Sequence, residues 1–295
     1  MTTPHATGSE LRGILLGIAG MGCITFNDAM MKLVISDIPV GQAIFVRGCF
    51  AMLPITWLVY RTGGWRTLVV QRRASQAWCA VLLALPLFVF VYSLSQLPLS
   101  LATIIFFTNP LFVTLLAPRF LGERLTRVRV LAVLAGFVGA VIVMQPTAAA
   151  FKWIMLGPVF VALLTAVREL VIRRVVVEES SGSILFYSSL AVTLCALGTA
   201  PFGWDSLSAR QVGLLATASV GFGFGLFLMT EALRFAEASL LSPYKYSAVV
   251  WALLLGYLFW GEQLSPWAYV GTALIVASGL TVALRDRHRD KQVGA

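Results

Sequence analysis

Apolar residues run through this chain in blocks of about twenty, parted by short polar or basic loops. A bilayer core is crossed by about 17–25 mainly apolar residues in a helix. Ten stretches reach that length: 11–34, 40–60, 76–95, 99–118, 128–145, 153–175, 183–203, 210–233, 238–260 and 265–284. The pattern predicts an all-α integral membrane protein with ten transmembrane helices. The loops leave no room for an inserted soluble domain.

Two of these blocks break the apolar rule in the same way. Residues 239–265 carry Pro243 and Lys245 early and end in Gly261-Glu262. Residues 100–126, 139 positions earlier, carry Asn109-Pro110 and end in Gly122-Glu123. In that register Ser100, Leu101, Leu115, Leu116, Phe120, Gly122, Glu123 and Leu125 match Ser239, Leu240, Leu254, Leu255, Phe259, Gly261, Glu262 and Leu264. In a register of 141, Asp28 and Lys32 fall on Glu169 and Arg173, so each half opens with an acid and a base four apart on one helix face. Such a pair is either functional or only a helix-end charge pair. Five spans per half is an odd number, so the second half enters the membrane upside down. The expected domains are therefore 1–147 and 148–295, two inverted five-helix repeats, the plan of secondary transporters.

Composition agrees with the hydropathy. The chain of 295 residues is 59% hydrophobic and 12% charged, against roughly 25% charged in soluble domains. The net charge of +9 does not point to nucleic acid, because the basic residues lie in short loops. With the N-terminus inside, sixteen Lys and Arg fall on the cytoplasmic side and two, Lys152 and Arg210, outside. The positive-inside rule then places both termini in the cytoplasm. Four bases remain within spans: Lys32, Arg47, Arg168 and Lys245. The four cysteines, Cys23, Cys49, Cys79 and Cys195, lack metal spacing and read as small buried apolar residues. His5 and His288 are in the tails. No HExxH, GxSG or Walker A sequence is present, so neither an enzyme nor an ATP-driven pump is expected, and no cofactor or metal is implied.

Ionisable residues inside a membrane are functional candidates. Topology groups Asp28, Lys32 and Arg47 in the outer half and Arg168, Glu169, Glu231 and Lys245 in the inner half. These are two gates around a central site, or buried ion pairs that fix helix register. Between them lie candidate substrate contacts: Phe26 and Asn27 on the first span, Tyr92 and Ser95 on the third, Thr103, Phe106, Phe107 and Asn109 on the fourth, and Ser242, Tyr244, Tyr246 and Trp251 on the ninth. Aromatic walls with a few amides and hydroxyls suit an amphipathic solute, and Lys245 offers a cation for a carboxylate. Aromatics in spans also serve as packing or interface residues. Gly13 and Gly17, and Gly221, Gly223 and Gly225, are expected where helices approach closely. Glu123 and Glu262 are expected to cap the helices that follow them.

The run from Asn109-Pro110 to Leu121-Gly122-Glu123, its echo at Gly261-Glu262, and the opening Phe26-Asn27-Asp28-Ala29-Met30-Met31-Lys32 with Arg47 resemble the drug/metabolite transporter superfamily, EamA branch. The resemblance covers nearly the whole chain. It departs at Val249, which stands where the first repeat has Pro110. The resemblance implies a secondary transporter of the bacterial inner membrane working by alternating access. The pattern is similar to bacterial aromatic amino acid exporters, which implies export of aromatic and other neutral amino acids. The alternative is another metabolite, such as S-adenosylmethionine, by uptake or exchange. The partners are then a small-molecule substrate and the lipid bilayer, and one chain suffices to enclose a pathway. Proton coupling through Asp28, Glu169 or Glu231 and facilitated diffusion both fit.

Overall fold

A computed structural model describes residues 7–62, 64, 68, 69, 73–121, 127–144, 152–175, 181–235 and 241–293. Among them all regular structure is helical. The helices are α1 (Thr7–Val34), α2 (Val40–Thr62), α3 (Arg73–Gln96), α4 (Leu99–Phe106), α5 (Asn109–Leu121), α6 (Arg127–Met144), α7 (Leu156–Val175), α8 (Ser181–Leu197), α9 (Ala209–Phe235), α10 (Ser247–Trp260) and α11 (Pro266–Val293). Short 3-10 turns precede α7 at Trp153–Met155 and α10 at Ser242–Tyr246, and a third lies at Ala200–Phe202. Seven spans among the described residues are long and apolar enough to cross a membrane, with α4 and α5 counting as one.

Large apolar side chains such as Leu53, Trp57, Leu131, Val250 and Leu258 lie more than half exposed on the outside of the bundle. In water such a surface would aggregate; in a bilayer it is the lipid-facing side. Cys49 and Cys195 are also exposed, which corrects their reading as buried. Their spans turn those positions outward. Cys79 is buried.

Proline explains the break in the fourth span. Pro110 has no N–H and its ring would clash with the carbonyl of Phe106 in a continuous helix. The chain tightens instead. The Phe107 and Thr108 amides donate to Ile104 and Ile105, and α5 restarts with Pro110 in its first turn. In the ninth span Pro243 opens a 3-10 turn that becomes α-helix at Ser247. In the 139 register the switch at Tyr246-Ser247 matches the break at Phe107-Thr108. The two breaks differ in form, as the shifted proline predicts.

The main helix pairings recur when the halves are exchanged. α1 packs on α9 as α7 packs on α3, and α2 packs on α9 as α8 packs on α3. α1 meets α10 as α7 meets α4 and α5. α2 with α8, and α6 with α11, pair with their own counterparts. Close approach depends on glycine at the α6–α11 crossing. A Cβ on Gly139 would stand 2.7 Å from the Gly271 carbonyl, and one on Gly271 would stand 2.5 Å from the Gly139 carbonyl. At the α1–α9 crossing the close pair is Gly20 with Gly225. Gly17 is in ordinary contact with Leu241, so the tight point lies one turn beyond the expected GxxxG.

Candidate functional site

A cavity of about 230 Å3 lies at the centre of the bundle. Helices of both halves wall it: α1, α2, α3, α4 and α7, with Phe222 of α9 and Ala248 of α10. Its apolar wall includes Phe90, Phe106, Phe107 and Phe222. Phe90 and Phe106 pack at 5.6 Å between ring centroids, and Phe106 and Phe107 at 5.9 Å. Pro86 also lines it and leaves the Leu82 carbonyl without the N–H donor that a helix would supply four residues on.

Apart from Thr25, whose hydroxyl donates to the Met21 carbonyl at 2.9 Å, the polar lining falls into two groups. In the first, Asn27 joins an acid to a base. Its Nδ2 donates to Asp28 Oδ1 at 2.8 Å, and its Oδ1 accepts from Arg47 Nε at 2.8 Å. The guanidinium of Arg47 lies 4.9 Å from the centre of the Phe222 ring, a cation–π contact. Ser219 Oγ donates to the Arg47 carbonyl at 2.8 Å. A charge in hydrocarbon is stable only when it is paired or faces a polar cavity, and this group meets both conditions.

The second group is Thr103, Thr165 and Arg168. Arg168 lies within electrostatic reach of Glu169 and Cys79. Its Nε and the Thr103 Oγ1 are buried without a hydrogen-bond partner.

A separate polar knot closes one end of the bundle. Glu262 follows Gly261, whose φ of 63° ends α10 in the left-handed conformation suited to glycine. The carboxylate accepts from the Leu99 amide at 2.7 Å, the Ser100 amide at 3.0 Å and Ser100 Oγ at 2.6 Å. It therefore caps α4, in the other half of the chain, and not the helix that follows it, because the turn at Gly261 sends the side chain across the bundle. Lys32 Nζ lies 3.5 Å from Glu262 Oε1 and donates to the Leu97 carbonyl. Elsewhere, Gln42 at the start of α2 donates to the Asp205 carbonyl at 2.6 Å and accepts from its amide at 3.2 Å. The equivalent Gly122-Glu123 lies outside the described residues.

The expected site residues divide accordingly. Asn27, Asp28, Arg47, Thr103, Phe107 and Arg168 come together on the cavity. Lys32 belongs to the Glu262 knot. Phe26 packs towards Gly221. Asn109 is buried and donates to the Ala162 carbonyl at 3.0 Å, tying α5 to α7. Tyr246 is buried against Phe107, and Trp251 donates to the Ile18 carbonyl at 3.0 Å. Tyr92 and Lys245 are exposed and do not line the cavity. Tyr244, Glu169 and Glu231 are half-buried, with Glu169 beside Arg168. The Ser242 side chain lies outside the described residues.

Thr165, Pro86 and Phe222 line the cavity without having been singled out in the sequence. The 141 register carried the signal for one of them. It places Thr165 on Ile24 and Arg168 on Asn27, and all four line the cavity.

The chain matches the EamA-like transporter family twice, over residues 11–145 and 151–284. An S-adenosylmethionine uptake transporter of Rickettsia bellii is 28% identical over 88% of this chain and 89% of its own length. The pseudopaline exporter CntI of Pseudomonas aeruginosa is 25% identical over 92% and 95%. A riboflavin transporter of Rhizobium johnstonii is 28% identical over 72% and 70%. A solved crystal structure shares the fold with a TM-score of 0.65, at 18% identity, over 94% of this chain and 98% of its own. With the family matching both halves, the chain is a member of the EamA-like transporter family, a multi-pass membrane transporter of small metabolites.

Proposed function

We propose that this protein is a secondary transporter of small metabolites with an amino-acid head group, carried through the central cavity by alternating access. The single observation that carries the reading is the cavity itself. It is walled by aromatic rings and lined by a carboxylate, two guanidiniums and three threonines. An amphipathic zwitterion matches that lining, with its body on the rings and its charges on the polar groups. We read the architecture as ten spans in two inverted repeats, 1–147 and 148–295, with both termini in the cytoplasm. The exchange symmetry of the helix packing supports this.

The substrate proposal covers both readings of the sequence. Aromatic and neutral amino acids follow from the resemblance to exporters. S-adenosylmethionine follows from relatives that bear its name across nearly their whole length, and these favour it as the first compound to test. Flux into and out of proteoliposomes, measured for S-adenosylmethionine, phenylalanine, methionine and riboflavin with and without a proton gradient, tests the class, direction and coupling together. Movement of one or more amino-acid-headed compounds is the expected result. Transport of riboflavin alone would refute the proposed class.

A further inference from the structure

The cavity holds two arginines, and the structure assigns them different roles: we propose that Arg168, with Thr103, is the anchor for the substrate's carboxylate, and that Arg47 is a structural cation. This deepens the functional reading above and rests on it. Arg47 is already committed on every side the structure shows. Its Nε donates to Asn27, its guanidinium covers the Phe222 ring, and Asp28 stands beside it through the Asn27 bridge. Asn27 and Arg47 are both buried. An anion arriving there would have to compete with an acid held in place.

Arg168, with Glu169 and Cys79 within electrostatic reach, differs at its Nε. Its Nε makes no hydrogen bond although it is buried, and Thr103 Oγ1, on the same cavity, is in the same condition. Buried donors left unpaired cost free energy, and in a membrane interior that cost persists unless something supplies an acceptor. Two unpaired donors on side chains that line one cavity fit a ligand oxygen reached by a small side-chain shift. A guanidinium is the side chain best matched to a planar carboxylate, which it meets through parallel N–H groups. Glu169 and Cys79 lie near Arg168. The carboxylate of Glu169 repels a bound anion and favours a zwitterion, whose ammonium group offsets it. The ring or alkyl body then extends towards Phe90, Phe106 and Phe107.

The test is equilibrium binding to the detergent-purified full chain, using two matched pairs of probes. One pair is phenylalanine and phenylalaninamide; the other is S-adenosylmethionine and its decarboxylated form. Wild type is expected to prefer the carboxylate member by about tenfold or more. Arg168→Gln is expected to abolish that preference by weakening only the carboxylate member. Arg168→Lys keeps the charge and is expected to restore part of it, and serves if Arg168→Gln does not fold. Equal weakening of both members, or an unchanged preference, would overturn the assignment while leaving the transporter reading intact. Binding of none of the four probes by folded wild type would refute the substrate class and this assignment with it.

Discussion

Phe107 and Tyr246 stand 139 positions apart, the offset that aligns the two broken spans, and their rings meet with centroids 5.1 Å apart. Equivalent residues of two repeats can touch only where a pseudo-two-fold axis passes between them. The cavity lies beside this pair, since Phe107 lines it. The contact therefore joins the two helix breaks beside the cavity.

The Tyr246 hydroxyl is buried with no hydrogen-bond partner. Tyr246→Phe keeps the ring contact and removes the unpaired group. Its apparent unfolding midpoint in detergent should be unchanged or raised, by up to about 1 kcal/mol in stability. Tyr246→Ala should lose about 3–5 kcal/mol through the vacated ring volume. A marked fall on Tyr246→Phe would mean that the hydroxyl has a partner in the working protein.

Glu262 and Lys32 are not equal members of their pair. Glu262→Ala strands the Leu99 and Ser100 amides, whereas Lys32→Ala leaves those bonds in place. Thermal unfolding should show Glu262→Ala as the more damaging change, by about 1–3 kcal/mol per buried group left unpaired. Glu262→Gln, which still accepts hydrogen bonds, should fall between them. If Lys32→Ala proved the worse, the knot would be an ion pair first and a helix cap second.

The α6–α11 crossing allows no side chain at its closest point. Gly139→Val and Gly271→Val each drive carbon into the facing carbonyl. Overpacking of this kind costs about 1–3 kcal/mol or more, and both variants should show reduced yield of monodisperse protein. Gly213→Ala, where an added Cβ meets nothing, should behave as wild type. Equal behaviour of all three variants would place α6 and α11 farther apart than described.

Orientation can be read chemically. In a background lacking the four native cysteines, Ser36→Cys, exposed beyond the end of α1, should react with a membrane-impermeant thiol reagent added outside intact cells. Ala74→Cys, exposed at the start of α3, should react only after the membrane is opened. The reverse pattern would invert the topology inferred from the arginine distribution.

Much of the bundle was legible in the sequence, for a physical reason. Lipid makes a span declare itself by apolar length, and seven of the ten expected stretches are long and apolar enough among the described residues; repeats declare themselves by offset. The 141 register placed Asn27 and Arg168 in equivalent positions, and both line the cavity. Spacing did not reveal which helix stands opposite a given residue. Asp28 and Lys32 share one helix face, so an offset of four suggests a common role. Yet Asp28 turns to Asn27 and the Arg47 group, while Lys32 turns to Glu262 on the other half of the chain. Lys245 read as a buried cation because its block is apolar, but the 3-10 turn opened by Pro243 carries it to an exposed position. Thr165 carries no signal by itself, because a lone threonine in a span usually satisfies its own helix; only its place in the repeat distinguishes it.

The most direct test of the account fills the cavity and asks whether flux stops. Thr165→Trp adds a ring to the lining without removing a charge. For whichever of phenylalanine, methionine and S-adenosylmethionine the wild type carries, counterflow in proteoliposomes should fall to the level of protein-free liposomes, while the variant still elutes as folded protein. Wild-type counterflow in folded Thr165→Trp would contradict the claim that substrates pass through this cavity.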